Sequence, residues 1–279
     1  MRAVRVLLSL SCWIACTGLV YAQQSAATLD STSDLVVVER GELPIVISAP
    51  HGGREPIPGV DVRKGDNAKK FVAVRDENTL ELAEKLADEI EQRLKKRPYV
   101  VLAKFERKFA DANRDPDDAY EASEAAPHYR AYHAALEQAC REINNKWKGG
   151  LLLDIHGQGS FPDSVLRGTN NGETVKRLVD RRGSEALIGP TSLFGRLAAA
   201  GFDVMPKVDS ADRETNGFSG GYIVRHYGSD QLGGIDAIQL EFGRKYRVPK
   251  DEAERTAAEL AAVIVAYCQD YLPAAVGRE

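Results

Sequence analysis

Along this chain, short apolar runs bounded by glycine, proline or charge alternate with longer segments whose apolar residues recur every three to four positions. The runs read as buried strands and the longer segments as amphipathic helices packed against them. Strands are predicted over 35–39, 45–49, 99–103, from 151 to a break at His156-Gly157, and over 187–189, 202–205 and 237–242. A helix after the capping candidates Asp76 to Thr79 places Leu82, Ala83, Leu86, Ala87, Ile90 and Leu94 on one stripe, and Arg97-Pro98 ends it. A second helix starts at Pro127 and runs to about Trp147, with Tyr132, Ala135, Leu136, Ala139, Cys140 and Ile143 inward. Further helices are expected over 192–200 and 251–271, the last with Ala257, Leu260, Ala261, Ile264, Val265 and Cys268 on its apolar side. Residues 52–70 and 105–118 have no periodicity and read as long loops, which in compact domains are often functional. Alternating strands and helices throughout predict a three-layer α/β domain, with helices on both faces of one central sheet.

Two strands carry polar residues where burial disfavours them. Leu151-Leu152-Leu153-Asp154-Ile155-His156-Gly157 sets an acid and an imidazole into an apolar run, and Pro44-Ile45-Val46-Ile47-Ser48-Ala49-Pro50 leads straight into His51-Gly52-Gly53. An unpartnered polar group inside a sheet costs a few kcal/mol. At the carboxyl end of a strand the same group reaches the crevice where open α/β sheets keep their chemistry. Two strands that each end in His-Gly suggest one shared site.

Composition narrows the class. The 279 residues are 43% hydrophobic and 28% charged, which suits one or at most two domains with a sizeable core. With a formal net charge of −4, no nucleic-acid footprint is expected. Arg2 and Arg5 precede an apolar stretch over 6–20, and Val20-Tyr21-Ala22 forms a cleavage signal before Gln23. This predicts a signal peptide over 1–22 and secretion or export to a periplasm, with no membrane span retained after cleavage. Residues 23–34, rich in Ser, Ala and Thr, read as a loose leader, and 35–279 as a single domain. Outside the signal only Cys140 and Cys268 remain; export permits a disulfide, and two buried thiols are the alternative.

Of five histidines, His51 and His156 sit at the strand ends just described. A catalytic zinc takes three protein ligands, usually His and carboxylate, and keeps one position open. Glu55 follows His51 by four residues; Asp76 is the rival carboxylate, with helix capping as its ordinary role. Asp154 is placed to orient an imidazole from behind. The loop over 107–116 combines Arg107, Asn113 and Arg114 with several carboxylates, and guanidinium forks suit a substrate carboxylate. Arg225 and His226 lie in a glycine-flanked stretch, Gly220-Gly221-Tyr222-Ile223-Val224-Arg225-His226-Tyr227-Gly228. Glu241 ends the apolar run over 237–240, where an acid can serve as general base.

Together Ser48-Ala49-Pro50-His51-Gly52-Gly53, Asp111-Ala112-Asn113-Arg114, Asp154-Ile155-His156-Gly157, the 220–228 segment and Gln239-Leu240-Glu241 resemble the N-formylglutamate amidohydrolase family, itself related to zinc carboxypeptidases. The resemblance implies a phosphorylase/hydrolase-like α/β fold with a mixed sheet. It also implies one zinc ion, hydrolysis of the amide of an N-acyl amino acid such as N-formylglutamate, and a small-molecule or short-peptide substrate. His51 and His156 match its metal ligands, Asn113-Arg114 its carboxylate-binding pair, and Glu241 its general base. In those carboxypeptidases a glutamate stands three residues after the first ligand histidine. Here that position is Arg54, so the third ligand stays open between Glu55 and Asp76. A zinc carboxypeptidase or cell-wall peptide hydrolase is the alternative enzyme, and a metal-free secreted binding domain the alternative outside catalysis.

Overall fold

The computed structural model describes residues 33–66 and 71–277, so the predicted signal peptide and all but the end of the leader lie outside the described residues. Seven strands form one mixed sheet: β1 Val36–Glu39, β2 Ile45–Ala49, β3 Tyr99–Ala103, β4 Leu151–Gly157, β5 Ser164–Gly168, β6 Asp203–Met205 and β7 Asp236–Phe242. Their spatial order is β1-β3-β2-β4-β7-β5-β6. The central four, β3, β2, β4 and β7, are parallel, so their carboxyl ends share one edge; β1 pairs antiparallel to β3 and β5 antiparallel to β7, while β6 runs parallel to β5. The helices in chain order are α1 Thr79–Leu94, α2 Pro116–Ala119, α3 Ala126–Trp147, α4 Lys176–Arg182, α5 Glu185–Ile188, α6 Leu193–Ala199, α7 Tyr222–Tyr227, α8 Arg244–Arg247 and α9 Lys250–Tyr271.

The apolar alternation divides the core between two helical layers. Ile45, Ile47, Leu153, Ile155 and Leu240 face the layer containing α1 and α9, while Val46, Val101, Leu152 and Ala237 face the layer containing α3 and α7. Side chains two apart on a strand share a face. The second face therefore continues from Val46 to Ser48, from Leu152 to Asp154 and His156, and from Ala237 to Gln239 and Glu241. Register aligns them: Ser48 is opposite Asp154, Asp154 opposite Gln239, and His156 opposite Glu241. The polar positions that interrupt three apolar strands thus form one patch at the carboxyl end of the sheet.

The predicted three-layer α/β architecture is present, with two local differences. Residues 187–189 are not a strand; Leu187 and Ile188 close α5, and Gly189 N–H donates to Glu185 O at 2.9 Å. Two apolar residues in sequence fit a single helical turn equally well. Strand β5 has no apolar signature because it carries Arg167, which is buried only by virtue of its 3.0 Å pairing with Glu214, distant in sequence.

Cys140 packs in the layer of α3 and Cys268 in that of α9, on opposite sides of the sheet, and both are free thiols. Burial pushes each thiol up to about 12, so neither forms thiolate near neutral pH. A non-reducing peptide map is expected to return both as free cysteine, and a thiol reagent to label them only after the protein is unfolded; fast labelling of the native protein would contradict the burial.

Candidate metal centre

The chain leaves β2 through Pro50 and His51 and then passes against the start of α1. A Cβ on Gly52 would lie 2.2 Å from the backbone nitrogen of Leu80, so only glycine permits this approach. It sets His51 beside Asp76. The expected capping role for Asp76 is not what is found. The position before α1 is held by Asn78 in the left-handed region (φ 62°) with no side-chain cap. Asp76 gives α1 only its backbone carbonyl, accepting from Thr79 N–H at 3.3 Å and Thr79 Oγ1–H at 2.9 Å. Its carboxylate is left to face the histidines.

The two imidazole rings lie edge to face, with centroids 4.9 Å apart. Asp76 Oδ2 lies 3.4 Å from His51 Nδ1 and 3.2 Å from His156 Nδ1, and accepts from Gly157 N–H at 3.1 Å. On the far side of each ring stands a second buried acid. His51 Nε2 is 2.6 Å from Asp111 Oδ1, and His156 Nε2 is 2.7 Å from Asp154 Oδ2. A carboxylate at Nε2 fixes the proton there and turns the Nδ1 lone pair toward the opposite side. Both Nδ1 atoms therefore converge with Asp76 on one point, and the ligand atoms of the three residues lie within 4.8 Å of one another. His51 Nδ1 is buried and has no hydrogen-bond partner. A basic nitrogen so placed is costly unless something electrophilic meets it. The donor set of two imidazole nitrogens and one carboxylate oxygen can hold a divalent cation.

The electrostatics agree. Burial penalises every charged form here, yet the imidazoles hold the Asp76 carboxyl well below the usual carboxylate range, and His51 with Arg107 does the same for Asp111. Burial also opposes a charged His156, but Asp154 and then Asp76 outweigh it and raise its proton affinity. The site thus concentrates negative charge where a cation can compete with a proton. Glu241 is the contrary case: burial dominates and lifts its carboxyl to about 7.

No protein-family model matches the chain, and no curated protein matches it. Solved structures do match. The crystal structure of N-formylglutamate amidohydrolase from Ralstonia eutropha JMP134 is similar over 85% of this chain and 98% of that one, with a TM-score of 0.58 at 15% identity. A gene product of Agrobacterium tumefaciens gives 0.55 at 13% identity, over 85% and 96% of the two chains. The chain has the N-formylglutamate amidohydrolase fold.

Within that fold the residues singled out from sequence separate into those that meet and those that do not. His51, Asp76, His156, Arg107, Asn113, Arg114, Arg225 and Glu241 line one cavity of about 1020 Å³. Glu55 is excluded from the group. Its backbone pairs with the segment beside Phe105, its N–H donating to Lys104 O at 2.9 Å, and its exposed side chain turns outward to Lys104 Nζ at 3.4 Å. Of the two carboxylates left open by the sequence, Asp76 lies with the two histidines and Glu55 does not. His226 is exposed, stacks on Tyr222 with centroids 5.0 Å apart, and is absent from the cavity wall. Arg107 is buried and committed to Asp111, its Nε–H donating to Oδ2 at 2.9 Å. Arg114 donates to the Asn113 carbonyl at 2.9 Å. Asn113 itself accepts from Ile223 N–H at 2.8 Å and lies where a Cβ on Gly221 would come within 2.2 Å, which locks α7 against the 111–114 loop. Gln239 donates to Glu241 Oε1 at 2.7 Å. Sequence reasoning gave Asp111 no role of its own; only its place two residues before Asn113 in a shared motif hinted at one.

Removing a carboxylate behind an imidazole is expected to weaken cation binding about 10- to 100-fold. Asp111→Asn and Asp154→Asn should each show this in competition against a chromogenic chelator, with the folded circular-dichroism spectrum retained; an unchanged affinity would mean that these acids do not orient the rings.

Proposed function

We propose that this protein is a zinc-dependent amidohydrolase that cleaves the amide of an N-acyl amino acid or short peptide. The observation that carries the proposal is the convergence of His51 Nδ1, His156 Nδ1 and Asp76 Oδ2, with a fourth buried acid, Glu241, on the same strand face as His156. Two imidazole nitrogens and one carboxylate oxygen would hold a zinc ion through three protein ligands, the number found in catalytic rather than structural sites. A zinc ion there supplies Lewis acidity, which makes water a competent nucleophile near neutral pH.

The chain's own residues supply the rest. Glu241, with a carboxyl lifted to about 7, takes the proton from the attacking water and returns it to the leaving nitrogen. Gln239 holds Oε1 of that carboxylate, leaving Oε2 for proton transfer. Arg107, 3.6 Å from Asp76 Oδ1 and on the cavity wall, adds positive charge where the tetrahedral oxyanion develops. The walls beyond this cluster include Val72, Val74, Phe218 and Tyr222, and the volume exceeds what a formyl group needs. It can take a whole N-acyl amino acid or a short peptide, with cell-wall peptide cleavage as the second reading. Survival of the whole ligand and base set speaks against a binding domain that has lost its metal. The Arg2/Arg5 and 6–20 pattern with Val20-Tyr21-Ala22 supports export as part of the same proposal.

Glu241→Gln is expected to keep zinc while turnover falls by about 10²- to 10⁴-fold. Full activity in that variant would remove Glu241 as the base. The wild-type rate should also depend on pH with a definite sign. The base works ionised, so kcat/KM rises as pH increases through the carboxyl's pKa, at about 7 without a cation and lower with zinc nearby. An acidic limb of opposite slope, with activity climbing as pH falls, would exclude this role.

A further inference from the structure

Arg247, on α8, belongs to the cavity wall yet has no part in the chemistry just described. It is 4% exposed. Among the described residues no carboxylate lies within ion-pair distance of it. Its partners are backbone carbonyls: Nε–H donates to Phe242 O at 3.0 Å, and the terminal nitrogens to Glu77 O and, at 3.3 Å, to Gln158 O. A guanidinium carries more N–H donors than these carbonyls accept. Burial works against its charge, and the carbonyl dipoles together with the more distant carboxylates of Asp76, Glu77 and Glu241 repay only part of that cost.

Its location is specific. The guanidinium packs against Gly157, where a Cβ would come within 2.4 Å of Nε. It is therefore one residue beyond His156 on one side and, through Glu77, one beyond Asp76 on the other. The neighbouring cations are already matched, Arg107 with Asp111 at 2.9 Å and Arg244 with Glu77 at 3.1 Å, while Arg225 is exposed. Arg63 offers an internal comparison. It is equally buried and equally bound to backbone carbonyls, those of Val72, Arg107 and Asp118, but it does not line the cavity. Arg63 is a clamp; Arg247 is the same device opened onto a binding space.

We propose that Arg247 is the receptor for the substrate's carboxylate, completed as an ion pair when an N-acyl amino acid binds. The proposal rests on the hydrolase reading for the identity of the ligand. It assigns to Arg247 the task expected from sequence for the loop that carries Arg107 and Arg114. A planar fork against a carboxylate discriminates strongly between an acid and its neutral amide.

The test uses zinc-loaded protein with N-acetyl-L-methionine and its carboxamide, following binding by calorimetry and hydrolysis by product release. The wild type is expected to bind the acid at least 10-fold more tightly than the carboxamide. Arg247→Met should weaken the acid about 10- to 100-fold while leaving the carboxamide and the zinc affinity within about twofold. Arg247→Lys keeps charge without the fork and should fall between; it carries the test if the Met variant does not fold. Equal binding of acid and carboxamide by the wild type overturns the proposal, as do variants that keep the wild-type ratio. A joint loss of both ligands together with zinc also overturns it, because that is the signature of a merely structural residue. Zinc-dependent cleavage of acid and carboxamide alike would leave the hydrolase standing and remove Arg247. Acid-selective binding without turnover would do the reverse.

Discussion

Everything at this site depends on a carboxylate standing behind each imidazole. His51 and His156 are almost fully buried, and neutral imidazoles in that position have two tautomers of similar intrinsic energy. Asp111 and Asp154 select one of them through contacts of 2.6 and 2.7 Å at Nε2. Without that choice the Nδ1 atoms would carry protons, and Asp76 would simply accept two hydrogen bonds. With it, two lone pairs and one carboxylate oxygen are aimed at the same point on the cavity wall. The acids in turn need their own support. Asp154 accepts from Ser48 Oγ–H at 2.5 Å, and Asp111 from Asn113 N–H at 3.0 Å and Arg107 Nε–H at 2.9 Å. Polarity thus spreads outward from the centre until it reaches neutral hydroxyl and amide groups.

The sheet makes this possible by geometry rather than by local sequence. Parallel pairing of β2, β4 and β7 places Ser48, Asp154 and Gln239 in one row and His156 with Glu241 in the next. A slip of one residue in any of these strands would turn its polar groups into the α1/α9 core and its leucines toward the cavity. The apolar half of each strand therefore sets the register on which the chemistry relies. The core and the site are two readings of one alternation.

Much of this was legible in the chain itself. The positions of β2, β3, β4, β7, α1, α3 and α9 follow from apolar period and from proline and glycine punctuation. His51, His156 and Glu241 stood out because each breaks an apolar strand at its end. What sequence could not supply was distance. Glu55 is near His51 along the chain, yet a β-bridge turns it outward; Asp76 is far along the chain, yet the turn into α1 brings it within reach. Helix capping was the ordinary expectation for Asp76, and it failed because Asn78 occupies the position before the helix in a left-handed conformation. Arg247 gave no sign of a substrate role for the same reason: a cation close to Lys245 and Arg244 reads as surface charge until the fold buries it. Strand β5 was hidden because the acid that neutralises its arginine comes from a later loop.

The groups that surround the candidate ion come from the ends of β2, β4 and β7, from the turn before α1 and from the loop after β3. No contiguous fragment contains more than a few of them, so there is nothing for an ion to organise before the central strands have assembled. Capture of a cation there would accordingly be a late event in this chain's folding, not its template. Once made, it would draw free energy from the ion's concentration and lend it to the whole domain at once. Metal content would then be a gauge of complete assembly, and scarcity of the ion a burden felt by the entire native population rather than by one loop.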